Sequence, residues 1–193
     1  MTTVAAVKKG KRLCIATDTL TCFGSRKEIA EKHVSDHGKV IRIGPNLVAV
    51  SGHVSWELIL KHYFSKKKNI SEWKTVDQVF EVLNVLHQHL KDTYFLHLSY
   101  SRYEPLESSN FGFLIINSYG IFEADYLRVV RQHKYFSAIG KGNEYALGAI
   151  KAVYDLIDDP EEIAKIGVEA AAQFDRNTDL PLHTHCIDLS NAK

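Results

Sequence analysis

Thr2 stands directly behind the initiator methionine, and a strand-like run begins with it and continues to Lys8. With Met1 removed, as the small neighbour permits, this one residue carries both a hydroxyl and a free α-amine. A threonine hydroxyl is inert at neutral pH unless a base takes its proton, whereas an α-amine with a pKa of about 8 is available to do so. The hydroxyl can attack an amide carbonyl while the amine shuttles the proton. The scheme also needs a cation, to depress the amine pKa and steady developing negative charge, and a carboxylate to hold that cation. Asp18, at the end of the second predicted strand, and Lys39, at the start of the third, are the candidates. Without further context they are an ordinary surface ion pair at strand ends, worth about 0–1 kcal/mol.

The elements that must position these groups are legible in part. Thr2 to Lys8 and Leu13 to Asp18 form a predicted hairpin around Lys8-Lys9-Gly10-Lys11, and Lys39 to Ile43 and Leu47 to Ser51 form another around Gly44-Pro45-Asn46. Four strands therefore come first. Two helices follow, one with Ser55 as its cap and one carrying Val76, Val79, Phe80, Leu83, Leu86 and Leu90 at three- and four-residue steps. A polar loop from Ser99 to Ser109 leads to a third hairpin, Phe111 to Ile116 and Ile121 to Tyr126. A Gly-flanked turn then opens a helix at GKGNEYALGA, Asp158-Asp159-Pro160-Glu161 separates it from another, and Leu182 to Ile187 closes as a strand. This order suggests an α+β fold of two sheets packed face to face with helices outside each. No repeat or linker interrupts it, so one domain over residues 1–193 is expected.

Composition narrows the function classes. With 45% hydrophobic and 24% charged residues the chain can bury a sizeable core. A net charge of +1 gives no overall case for nucleic acid or an anionic membrane, and the Lys66-Lys67-Lys68 run reads as solvated loop. No apolar run approaches the ~20 residues that span a bilayer, and no leader pattern precedes Thr3, so a cytoplasmic location is expected. Cys14, Cys22 and Cys186 are odd in number and lack a CxxC pair, which predicts free thiols. His183-Thr184-His185-Cys186 resembles a ligand cluster, but on a strand the two histidines share one face and Cys186 takes the other, so no metal and no cofactor is expected.

Three stretches, TTVAAVKKGKRLCIATDTLTCFGS, GKVIRIGPNLVAVSG and AIGKGNEYALGA, resemble the landmarks of proteasome β-type subunits and of the bacterial HslV peptidases. The likeness runs from Thr2 to about Ile187 and is weakest between Ser65 and Ser109. It implies the four-layer αββα sandwich of N-terminal nucleophile hydrolases, assembled as stacked homo-oligomeric rings around a proteolytic chamber. Carried over by position, it implies Thr2 as nucleophile, Asp18 as the carboxylate that orients Lys39, and Gly52 as the oxyanion donor. Asp175 and Thr178 then match the family's support for the terminal amine, with Thr in place of Ser. By the same mapping Thr21, His37, Val50 and Val54 line the pocket for the residue before the scissile bond, and Cys22 offers backbone hydrogen bonds. One departure stands out: Lys141, in Gly140-Lys141-Gly142, replaces a serine that assists proton handling.

The resemblance thus implies a threonine endopeptidase acting on unfolded polypeptides, with an ATPase or other activator as a further partner. Two alternatives stay open. One is a ring-forming scaffold with little or no activity, motivated by Lys141, and the other is a hydrolase of a small amide.

Overall fold

The structure, a computed structural model, describes residues 2–23, 26–29, 32, 34–35, 38–96 and 106–189. Of the loop expected over Ser99 to Ser109, residues 99–105 lie outside the described residues, as does Met1.

The first hairpin forms as its residues demand. Strands β1 (Thr3–Lys9) and β2 (Arg12–Asp18) pair antiparallel with Lys9 opposite Arg12, and Gly10 makes the tight turn at a φ of 58°. A short hairpin follows, β3 (Leu20–Phe23) and β4 (Arg26–Ile29), which the periodicity does not show because four-residue strands carry too few alternations. β5 (Val40–Ile43) and β6 (Asn46–Ser51) turn at Gly44-Pro45. Helices α1 (Ser55–Ser65) and α2 (Val76–Tyr94) come next. Ser55 is the first helical residue rather than the cap: Val54 occupies that position and makes no side-chain capping bond. Thr75 does cap α2, accepting from the Gln78 N–H.

β7 (Gly112–Asn117) and β8 (Gly120–Ala124) form the third expected hairpin. Two further strands, β9 (Val130–His133) and β10 (Phe136–Gly140), were not anticipated. β9 is a polar edge strand with no apolar face, and it pairs with β8, whereas β10 pairs with β1. The chain therefore changes sheets between His133 and Phe136. Helices α3 (Asn143–Val153) and α4 (Pro160–Phe174) and strand β11 (Leu182–Asp188) complete the order. Asp159 caps α4, with Pro160 at its first position.

Three apolar layers hold these elements in an α-β-β-α stack. Val4, Ala6, Leu13 and Ile15 of sheet β10-β1-β2-β11 meet Leu47, Ala49, Leu114 and Ile116 of sheet β5-β6-β7-β8-β9. The outer face of the first sheet packs on α3 and α4 through Ala5, Val7, Ala16, Ile150, Ile163 and Val168. The outer face of the second packs on α1 and α2 through Val48, Val50, Leu60, Leu83, Leu86 and Phe113. The α+β, four-layer αββα sandwich expected from the element order is the architecture found.

The free-thiol expectation is overturned for two of the three cysteines. β11 pairs with β2 in a register that sets Cys186 opposite Cys14, and the two form a disulfide with Cα atoms 4.1 Å apart, while Cys22 is free. Odd count and missing CxxC spacing could not show this, since the partners are 172 residues apart and only strand pairing brings them together. In the oxidised chain, denatured without reductant, thiol titration should therefore find one reactive group, rising to three after reduction. Three before reduction would show that the strands hold the pair as thiols.

Candidate active site

The end of the β1–β2 hairpin brings Thr2 and Asp18 side by side, and Lys39, one residue before β5, reaches them from the other sheet. The Asp18 carboxylate is fully buried and accepts four hydrogen bonds. They come from the Thr2 hydroxyl, the Thr3 N–H at 3.0 Å, the Leu20 N–H at 3.1 Å and the Lys39 ammonium at 2.9 Å. Lys39 Nζ also donates to Thr2 Oγ1 at 3.0 Å and to the Leu20 carbonyl at 2.7 Å, so its three protons have three acceptors. Since the Thr2 hydroxyl proton points to Asp18, its oxygen presents a lone pair to Lys39. The pair is therefore a buried one rather than the exposed strand-end pair of the sequence-based expectation.

A second chain of hydrogen bonds supports Thr2 from the helix side. Thr178 Oγ1 donates to Asp175 Oδ2 at 2.7 Å, which leaves the Thr3 hydroxyl to donate to Thr178 Oγ1 at 2.6 Å. Thr3 Oγ1 in turn accepts the Gly142 N–H at 3.1 Å. Burial acts to raise the Asp175 carboxyl, but hydrogen bonds from Thr178 and Asn177, with the Lys141 charge, outweigh it and hold the group below its ordinary value. Asp175 is thus anionic at neutral pH. It lies on this chain beneath Thr3 and is not in contact with the Thr2 hydroxyl.

Gly140 sits at a φ of 99°, and a Cβ there would stand 1.8 Å from the Thr2 carbonyl oxygen, so only glycine lets β10 approach Thr2 this closely. The next residue, Lys141, donates its backbone N–H to that carbonyl at 3.1 Å while its side chain is exposed. The family serine's hydroxyl has no replacement in this turn.

A small pocket of about 20 Å³ lies at Thr2, lined by Thr21, Val50, Gly52 and Val54 with Lys39 behind them. Val50 serves both pocket and core, as it also packs among the α1 and α2 side chains. Cys22 is on β3 next to Thr21 but does not line this space, and His37 lies outside the described residues. Sequence reasoning missed Leu20, His53 and Glu57, which complete the lining. Glu57 was findable, because three residues after Val54 on a helix it must face the same way. A group formed by Cys14, Glu161 and Cys186 gathers donor atoms within 4.8 Å, without either histidine of the suspected cluster. Its two sulfurs are joined to each other, and Glu161 is engaged by Arg12, Lys165 and Thr184.

Burial raises the stake on Lys39. Removing one partner of a buried pair leaves an uncompensated charge, which costs about 3–5 kcal/mol. Lys39→Ala should lower the unfolding free energy by about that much in a denaturant titration, and a loss under about 1 kcal/mol would mean that water reaches Asp18.

The fold and much of this sequence are shared with solved proteins. BPH from Thiobacillus denitrificans is 39% identical over 98% of this chain and 99% of its own, with a TM-score of 0.92. The same protein solved in complex with epoxomicin gives 40% identity over 97% and 99%, with a TM-score of 0.90. Eukaryotic HslV from Trypanosoma brucei is 18% identical over 96% and 99%, with a TM-score of 0.66, a likeness of fold alone. No family model and no curated relative matches the chain. With two-fifths of its residues shared over nearly the whole length of both chains, the chain belongs to the proteasome- and HslV-like family of N-terminal nucleophile hydrolases.

Proposed function

We propose that this chain is a threonine-type endopeptidase whose nucleophile, Thr2, is freed by loss of Met1. The observation that carries the reading is the Thr2 hydroxyl held between the Asp18 carboxylate and the Lys39 ammonium. In this reading Thr2 Oγ attacks the scissile carbonyl and its proton passes to the α-amine. The oxyanion accepts the Gly52 N–H, and Lys39 steadies the charge. The C–N bond then breaks as the α-amine gives its proton to the leaving amine, leaving an ester on Thr2. Water attacks the ester with the amine again as base, restoring Thr2 and releasing the acid.

The solved BPH complex with epoxomicin, a proteasome inhibitor, supports this assignment by similarity. Membership of the family motivates stacked homo-oligomeric rings, in which the chamber would select unfolded polypeptides by access, with an ATPase or other activator feeding it. The reading keeps the chain in the cytoplasm. The scaffold alternative retains one supporting observation, the missing serine hydroxyl at Lys141.

Two experiments decide between them. Intact mass should show Met1 absent, epoxomicin should add one equivalent to the wild type, and Thr2→Ala should assemble but take up none. Labelling that persists in Thr2→Ala would instead point to Cys22. Lys141→Ser, measured on short fluorogenic peptides, should raise turnover by supplying the hydroxyl relay, whose contribution in such steps is about 10²-fold or more when fully lost. An unchanged rate beside robust wild-type cleavage would mean that the Thr3–Thr178–Asp175 chain suffices.

A further inference from the structure

A second cavity, about 630 Å³, opens beside the small pocket and takes no part in the steps above. The two spaces share Gly52. The larger one is also walled by Gly140 and Lys141, the two residues pressed against the Thr2 carbonyl. A peptide laid across Gly52 with one side chain in the small pocket must send its next residues away from Thr21 and Val54, toward this larger space. The disparity in volume is the first clue. The small pocket measures about 20 Å³ against about 630 Å³ for the larger cavity, which leaves room for a long side chain only in the second.

Chemistry supplies the second clue. Two carboxylates line the large cavity, and both are anchored. Glu123, on β8, lies 2.8 Å from His133 Nε2 and accepts from the Ser137 hydroxyl, and these contacts, the one to His133 foremost, hold its carboxyl below the ordinary carboxylate range against partial burial. Asp125 Oδ1 accepts the N–H groups of Leu127 at 2.8 Å and Val129 at 2.9 Å, which fixes the carboxylate at its turn. Around them Ser108, Asn110 and Tyr126 offer hydroxyl and amide groups. Arg131 stands opposite Glu123 across the β8–β9 ladder, and Lys141 is the cation of the lining itself. Lys141 is exposed, so solvent screens its charge and its long stem can turn away, whereas the two carboxylates are held in place within a concave wall.

Resting on the peptidase reading, we propose that the selectivity of this enzyme lies after the scissile bond. The large cavity receives the residue that follows the cut, and Glu123 and Asp125 favour a long cationic side chain there, lysine or arginine, over an acidic one. The residue before the cut is chosen mainly for small size.

Internally quenched peptides with alanine before the cleavage site and Lys, Arg, Leu, Gln or Glu after it provide the test, with cut sites read by mass spectrometry. Wild-type enzyme should cleave the lysine and arginine peptides with kcat/KM at least about fivefold above the glutamate peptide. Glu123→Gln and Asp125→Asn should each narrow that ratio, and the second keeps an oxygen for its turn. Epoxomicin labelling of the wild type, run in parallel, separates the two levels, because labelling reads the Thr2 nucleophile and not the residue that follows the cut. Labelling together with a flat or acid-favouring panel overturns the inference and leaves the peptidase reading standing. Neither labelling nor cleavage overturns both. Should either variant fail to fold, the wild-type panel alone still decides.

Discussion

A carboxylate with no exposure to water sets the terms for this end of the molecule. Asp18 is paired with Lys39 among buried strands, an arrangement that would cost several kcal/mol if its oxygens went unsatisfied. Four donors meet them, from three pieces of the fold: Thr2 and Thr3 at the entry to β1, the backbone at the start of β3, and Lys39 ahead of β5. The hairpin register that sets Val4 opposite Thr17 is what delivers Thr2 and Thr3 to Asp18. Removing any one donor leaves the others holding a charge in a dry site, so the geometry around Thr2 is over-determined.

Rigidity is supplied by the layers. Thr2 itself lies outside β1, yet its carbonyl is gripped by Lys141 N–H and its neighbour Thr3 is tied through Thr178 to Asp175. The first of these contacts requires a glycine at position 140, where any Cβ would strike the Thr2 backbone. Two independent hydrogen-bond chains, one from the facing sheet and one from the helix side, therefore converge on the first two residues behind Met1. Chain ends ordinarily fray. Here the anchoring offsets that tendency, and a nucleophile can be held to the tolerance that catalysis needs.

The same construction shapes what surrounds Thr2. β11 reaches the site as well, since Leu182 pairs with Asp18 and the Pro181 carbonyl accepts from both Thr19 N–H and Thr19 Oγ1. Farther along β11, Cys186 meets Cys14. On the opposite flank the sheets part at Ser51, Gly112 and Ala138, and the gap they leave is the larger cavity. A pocket on one side of Gly52 and a cavity on the other follow from where the two sheets touch and where they separate.

Local chemistry carried much of this in the sequence. Thr2 behind a removable methionine, the turn residues at Gly10 and Gly44-Pro45, and the period of Val79, Leu83, Leu86 and Leu90 each act within a few residues, so the first hairpin, the helices and the αββα order were legible. Asp18 and Lys39 could be named as candidates, but only the family likeness raised them above an ordinary strand-end ion pair, and it added Gly52, Asp175 and Thr178. Short and polar strands were not legible: β3, β4 and β9 carry too little alternation to announce themselves. Tertiary structure alone decided that the Asp18–Lys39 pair is buried, that Cys14 faces Cys186, that Leu20 and His53 join the small pocket, and that Lys141 touches Thr2 through its backbone while its side chain is exposed. Each of these depends on strand register or sheet-to-sheet contact between residues distant in the chain, and no pattern of neighbours encodes such a meeting.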